Sequence, residues 1–90
     1  MYERVLPVGT VVMLKDAYKR MMIMGYQQSQ TEDLKKVYDY IGCIYPEGFI
    51  KVQEMRLFDH EDIEIVFEMG FQNEEQEMFR KDLENELKRK

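Results

Sequence analysis

The ninety-residue sequence contains no tryptophan, one cysteine, one histidine and two prolines. Cys43 cannot form an internal disulfide, and His60 alone cannot supply the ligands of a conventional zinc site. No apolar run approaches the ~20 residues of a membrane span, and the first residues lack the long apolar core of a signal peptide. These absences predict a cytoplasmic protein without disulfides, metal or membrane insertion.

Positive charge is also scarce. Thirteen basic and eighteen acidic side chains give a net charge of −5, which disfavours nucleic acid as a partner. The imbalance is confined to residues 57–90, which carry a net charge of −6, whereas residues 1–56 carry +1. This acidic part indicates either a basic protein partner or a simple contribution to solubility, and the sequence leaves both open.

The chain is long enough for one domain with one core, and its composition is that of a folded globule, 44% hydrophobic and 34% charged. Neither the glycine-rich dinucleotide motif nor the phosphate-binding loop motif occurs. We therefore expect no cofactor, no catalytic residues and no enzyme activity.

The first half of the chain predicts strands. Two β-branched and apolar runs, residues 10–15 and 20–27, predict the first pair. The polar residues 27–36 are expected to form an exposed loop, and residues 37–45 a third strand. Pro46, Glu47 and Gly48 predict a turn before a short fourth strand at residues 49–52.

The stretch at residues 57–71 predicts a short helical turn followed by a strand. Asp59 is a plausible N-cap, with acidic residues suited to the first turn. From Ile63 onwards, apolar and other residues alternate up to Phe71, with Val66 as an exception. This period of two predicts a strand with one buried and one wet face.

Residues 73–90 predict a charged amphipathic helix. Asn73 and Gln76 have capping-box spacing, acidic residues fill the first turn and basic residues the last. The only apolar stripe is narrow. The helix could dock on its own sheet, bind a partner or pair with a second copy in a homodimer. The stripe consists of Met78, Phe79, Leu83 and Leu87.

These elements predict an α+β fold. We expect a small, strongly curved antiparallel sheet of about five strands, forming a barrel-like roll, with a short helical turn and a C-terminal helix. Residues 1–72 would form the curved-sheet domain and residues 73–90 the helix of the same domain. The alternative topology packs the helix flat across one face of the sheet.

Few side chains suggest chemistry. His60, flanked by carboxylates in DHED, could act as a general base, but a surface helical turn is the favoured interpretation because no nucleophile is recognisable nearby. Cys43 is expected to be a buried structural residue. Gly42, inside a strand, indicates a bulge or a close neighbouring backbone. Among the aromatic residues, Tyr38, Tyr40 and Tyr45 are candidate partner contacts.

Three blocks of sequence carry a family resemblance. LPVGTVVMLK near the start, YDYIGCIYPEG in the middle and LFDHEDIEIVFEMGF near the end occur in that order within residues 6–79. Together they resemble a small bacterial family of unknown function encoded beside LXG-domain toxins in type VII secretion loci of Gram-positive bacteria. The motif positions, most of which have a structural explanation as turn, cap or core residues, are Leu6, Pro7, Gly9, Tyr40, Gly42, Tyr45, Pro46, Glu47, Gly48, His60, Glu61, Asp62, Ile63 and Gly70.

The resemblance implies a non-enzymatic accessory factor that binds a secreted toxin, or another secretion component, before export. A chaperone or targeting role is the main expectation. An immunity protein that neutralises a cognate toxin is one alternative, and a small enzyme using His60 is another.

Overall fold

In a computed structural model, which describes residues 5–88, the chain forms an antiparallel sheet and one α-helix. A short 3-10 turn precedes each of the last two strands. The elements are β1 Val11–Leu14, β2 Met21–Gln30, β3 Asp33–Ile44, a turn at Val52–Glu54, β4 Arg56–Phe58, a turn at His60–Asp62, β5 Ile63–Glu68 and α1 Glu74–Lys88.

The sheet has the strand order β4-β3-β2-β1-β5, and every pairing is antiparallel. The α+β prediction is confirmed, including the five strands and the C-terminal helix. The sheet is not closed, because β4 and β5 lie at opposite edges and do not pair. The predicted sheet domain begins at residue 1 and the predicted helix ends at residue 90. Residues 1–4 and 89–90 lie outside the described residues.

The prediction of a loop at residues 27–36 is wrong. Strands β2 and β3 continue through it as a hairpin that pairs Gln28 with Tyr38 and Gln30 with Asp33, and a turn at Thr31 and Glu32 connects them. This ribbon is largely exposed, so its pairing depends on backbone hydrogen bonds rather than on burial. Polar residues are tolerated in exposed strands. Because they show no alternation with apolar residues, the sequence did not indicate strands here.

The predicted fourth strand at residues 49–52 is also wrong. Phe49 and Ile50 lie in an irregular exposed segment, and β4 forms later, where Leu57 pairs with Ile41. Three residues are too short to show a periodic pattern. The turn before this segment is as predicted, with Gly48 at φ +80° and its N–H 2.8 Å from the carbonyl oxygen of Ile44.

The core lies between the central strands, the first described residues and β4. Cys43 is buried as expected, and Gly42 fits the predicted close approach, because a Cβ there would lie 2.9 Å from the carbonyl oxygen of Met22. A register shift opposite Gly42, between Ile23 and Gly25, places a bulge in β2. The main core cluster consists of Val5, Leu6, Val12, Leu14, Met21, Ile23, Tyr40 and Phe58.

Helix α1 packs on its own sheet through only part of its stripe. Leu83 and Leu87 pack against the core cluster, whereas Met78 and Phe79 are exposed. Glu84 adds a polar contact between the helix and the first described residues, because its Oε2 accepts a hydrogen bond from the Val5 N–H at 2.8 Å. Within residues 5–88, no helix is long and apolar enough to cross a membrane.

The two parts of the stripe predict different costs of truncation. Leu83→Ala should lower the free energy of unfolding by about 1–2 kcal/mol, less than for a fully buried leucine, because Leu83 is only partly buried. The matched change Met78→Ala removes a side chain that is 68% exposed, and should change stability by less than about 0.5 kcal/mol. Urea unfolding of both variants measures the difference, and equal losses would contradict this packing.

Candidate partner-binding surface

Tyr40 and His60 meet where β3 passes the turn that precedes β5. The Tyr40 side chain is fully buried, and its ring packs against Tyr26, Phe58 and His60 with centroid distances of 5.6–5.9 Å. Its hydroxyl oxygen accepts a hydrogen bond from the Leu6 N–H at 3.1 Å and lies 2.8 Å from His60 Nδ1. Tyr40 is therefore a core residue, and its predicted role as a partner contact is wrong.

Carboxylates hold the backbone around His60. Asp39 Oδ2 accepts the His60 N–H at 2.9 Å, while Asp59 Oδ1 accepts the Asp39 N–H at 3.1 Å. Asp62 Oδ2 accepts the Asp59 N–H at 2.9 Å, so the DHED sequence forms the predicted short helical turn with Asp59 as its N-cap. Lys36 completes the cluster with an ion pair to Asp59 at 2.9 Å.

The environment of His60 favours its neutral form. Burial lowers the pKa of the imidazole, although the nearby Asp39 carboxylate opposes that shift. Burial also raises the pKa of the Asp39 carboxyl. Nδ1 of a neutral ring can accept a hydrogen bond from the Tyr40 hydroxyl, so the histidine links the sheet to the helical turn. Glu61, the remaining motif residue of this turn, is exposed.

Pro7, Gly9 and Gly70 belong to a second structural cluster around Thr10. The buried Thr10 hydroxyl donates to the Pro7 carbonyl oxygen at 2.7 Å and accepts the Gly70 N–H at 3.0 Å. A Cβ on Gly70 would clash with the Val8 carbonyl oxygen, and Gly9 itself has φ +94°. These motif residues are therefore needed for close backbone packing.

The YPEG turn lies at the end of β3. Its Glu47 pairs with Lys19 at 2.8 Å, and the lysine lowers the pKa of the Glu47 carboxyl. Tyr45 is exposed beside the cis peptide bond that precedes Pro46. The turn thus displays one of the predicted partner contacts.

The remaining predicted contacts are dispersed over the structure. Tyr38 is half-buried, with Lys36 Nζ 4.9 Å from its ring centroid. Phe79 is exposed but also stacks on Tyr26, with 5.6 Å between centroids. Leu83 and Leu87 are engaged with the core, so only Met78, Phe79 and Tyr45 remain as exposed members of the predicted set.

An apolar surface that sequence reasoning missed runs along β5 and the residues after it. The alternation there was interpreted as one buried face, but only Ile63 packs against the core. The prediction of a buried face is wrong because no described element covers β5, since α1 docks elsewhere, against Val5 and Tyr26. Val66, the exception to the alternation, was the one available signal. We define the β5 surface as the exposed side chains Val8, Ile65, Val66, Phe67, Met69 and Phe71.

A second exposed apolar segment follows the YPEG turn and includes Phe49, Ile50 and Val52. Close to it in sequence, Gln53 and Arg56 line an open groove of about 390 Å³ together with Tyr18 and Lys19. Polar and apolar atoms contribute about equally to the lining of this groove. Across residues 5–88, no group of three or more His, Cys, Asp or Glu side chains is arranged to hold a metal ion.

Comparison with known proteins gives one match. The model of the family described as "Domain of unknown function (DUF4176)" matches residues 5–79. No curated protein and no solved structure matches the chain. The match covers the whole sheet and the first six residues of α1, and thus both clusters of motif residues.

Acid should weaken the link that His60 provides. Its pKa is lower in the folded chain than the value of about 6.5 in an unfolded chain, so the unfolded state binds the proton first as the pH falls. The contribution of His60 to stability is therefore present above about pH 6.5 and is lost below it. The raised pKa of the Asp39 carboxyl has the opposite sign, because the folded state binds this proton more readily than the unfolded state does, and the same carboxyl is present in both proteins compared below.

Unfolding in urea at about pH 7.5 and about pH 5.5 measures this effect, because His titrates between these values. The natural chain should lose more stability on acidification than His60→Asn, whose amide oxygen can replace Nδ1 as an acceptor. An identical loss in both proteins would show that His60 is not the titrating group.

Gly70→Ala should be severely destabilising, by more than about 3 kcal/mol, because the added Cβ meets backbone rather than a movable side chain. Gly48→Ala is the matched control, since its Cβ would have open space and only φ +80° opposes it, at a cost of about 1 kcal/mol. Thermal unfolding compares the two. Similar costs would contradict the close contact between Gly70 and Val8.

Proposed function

We propose that this chain, which belongs to the DUF4176 family of domains of unknown function, is a non-enzymatic protein-binding accessory factor. The observation that carries the proposal is the β5 surface, on which Ile65, Val66 and Phe67 are exposed in succession along one strand. Single exposed apolar residues are ordinary, whereas this strand exposes Ile65 and Phe67 on one face and Val66 on the other, and such a cluster on a small protein marks an interaction site.

Charge suggests the character of the partner. All of the β5 surface except Val8 belongs to the acidic part of the chain, residues 57–90, where eleven acidic side chains outnumber five basic ones. A partner with basic residues around an apolar segment would gain long-range attraction and selectivity from this field.

The three sequence blocks that resemble the LXG-associated family suggest the biological setting. In this proposal the protein acts in the cytoplasm of a Gram-positive bacterium as a chaperone or targeting factor for an LXG toxin of the type VII secretion system. It would cover an apolar, basic segment of the toxin and keep the toxin soluble until export. Met78, Phe79 and Tyr45 could extend the contact beyond the β5 surface.

An immunity protein is the second candidate, because an acidic binding surface would equally suit a basic catalytic domain. The two functions differ in outcome. Loss of a targeting factor abolishes export of the toxin without making the cell sensitive to it, whereas loss of an immunity protein makes the cell sensitive. Deleting the gene, then measuring toxin in the medium and survival on exposure to the toxin, distinguishes them.

Substitutions on the exposed surface test the protein-binding function directly. Phe71→Ser and Met78→Ser remove side chains that are 79% and 68% exposed, so folding should persist. Each should weaken binding of the purified LXG toxin by about fivefold or more if it contributes about 1 kcal/mol at the interface. Isothermal titration calorimetry provides the affinities.

Tyr18→Ser is the matched control, because Tyr18 is 94% exposed but lies outside the β5 surface and α1. It should leave the toxin affinity unchanged. If no purified LXG toxin from the same locus binds the natural chain, the chaperone and immunity functions are both ruled out.

A further inference from the structure

We propose that the outer edge of β5 binds an extended, basic segment of the partner as a sixth strand of the sheet. This inference rests on the proposed protein-binding function and specifies its mode. Added strands gain affinity from main-chain hydrogen bonds and selectivity from alternate side chains. The argument depends on the position, side chains and charge of β5.

The position of β5 leaves one side of its backbone open. Among residues 5–88 it pairs only with β1, through Val12–Val66 and Met13–Ile65 among other partners. It has six residues, whereas the opposite edge strand β4 has three. Very short edge strands are a common protection against pairing, and β5 does not have that protection.

The side chains of β5 offer apolar contacts on both faces of a strand added beside it. Ile65 and Val66 are consecutive and therefore point to opposite faces, yet both are exposed to a similar extent. Met69 and Phe71 continue the apolar surface past the end of the strand. An incoming strand could therefore bury apolar side chains above and below the sheet.

The charge of this edge selects the partner. The polar side chains of β5 are Glu64 and Glu68, both exposed and without an ion pair to any described residue. The nearby cation Arg20 lies over the Phe67 ring, with its Cζ 4.4 Å from the centroid. A second copy pairing through β5 would bring glutamates together, whereas lysine or arginine on the incoming strand would oppose them favourably.

A second open edge differs from β5 in charge. β4 covers β3 only at Tyr40, Ile41 and Gly42, so the distal part of β3 is also an edge. That part carries Lys35 and Lys36, and lysines on an edge are a usual defence against pairing. Asp33 and Asp39 offset these lysines, and Lys36 is already paired with Asp59, so this edge offers a basic segment no net attraction, in contrast to the glutamates of β5.

The pairing of β5 with β1 is irregular, with register shifts between Val11 and Val12 and between Met13 and Leu14. Such bulges increase local twist and limit indiscriminate edge pairing. Together with the glutamates they restrict the site to a short segment with matching charge.

The test uses the full chain and three blocked peptides of about nine residues, long enough to cover β5. The first alternates lysine and valine, the second alternates glutamate and valine, and the third is the lysine peptide with alternate backbone nitrogens methylated. The lysine peptide should bind and slow amide hydrogen exchange in residues 63–68. Methylation should weaken binding by about tenfold, because it removes main-chain donors while keeping charge and side chains.

Charge reversal provides matched variants. Glu64→Lys/Glu68→Lys should lose affinity for the lysine peptide and gain it for the glutamate peptide. The control Glu32→Lys/Glu54→Lys makes the same change in net charge at exposed positions outside β5, and should retain the original preference.

Several results would overturn the proposal: no binding of the lysine peptide, equal binding after methylation, or protection along β3 or α1 instead of β5. Protection of β5 in the free protein that increases with concentration would indicate a second copy as the occupant and would also overturn it. If the purified toxin binds the natural chain and the Glu64→Lys/Glu68→Lys variant equally, this mode fails while the protein-binding function stands. Failure of that function instead requires that the toxin not bind the natural chain at all.

Discussion

The hydroxyl of Tyr40 is the point at which three parts of the chain are joined. It accepts a hydrogen bond from Leu6 in the first described segment and lies within hydrogen-bond distance of His60 in the turn before β5. Its ring lies against Phe58 of β4 in the core. A buried polar atom is costly unless it is paired, so Leu6 and His60 stabilise the buried hydroxyl, while Phe58 packs against the apolar ring. The position of β5 depends on it, because the His60 turn leads directly into that strand.

Local chemistry made much of the fold predictable from the sequence. The C-terminal helix follows from its cap, and the Asn73 side chain does accept the Gln76 N–H at 2.9 Å. The turn at Gly48 and the close backbone contact at Gly42 could be predicted because both residues are glycines, which few other residues can replace at such positions. In each case the determining contact lies within a few residues or at a glycine that faces backbone, so a single sequence is sufficient to reveal it.

What could not be predicted depends on which strands are neighbours. Alternation at Ile65 and Phe67 shows a strand, but burial of that face requires another layer over it, and no described element supplies one. The burial of Tyr40 could not be predicted for the same reason, because the hydrogen-bond partners of its hydroxyl lie 34 and 20 residues away in the sequence. The candidate site was therefore predicted only in part: Met78 and Phe79 from the apolar stripe of the helix and Tyr45 from its residue type, whereas the β5 surface required the structure.

The polar hairpin of β2 and β3 has a consequence for how this domain can vary. Among the described residues, the distal parts of β2 and β3 form strand pairs with each other alone, and the turn at Thr31 and Glu32 is exposed. Lengthening both strands there by two residues would keep every side chain on its present face, since the strand period is two, and would leave the core untouched. The ribbon is thus the place where relatives could differ in length without refolding, and where a fluorophore or affinity tag could be inserted at little cost to the rest of the molecule.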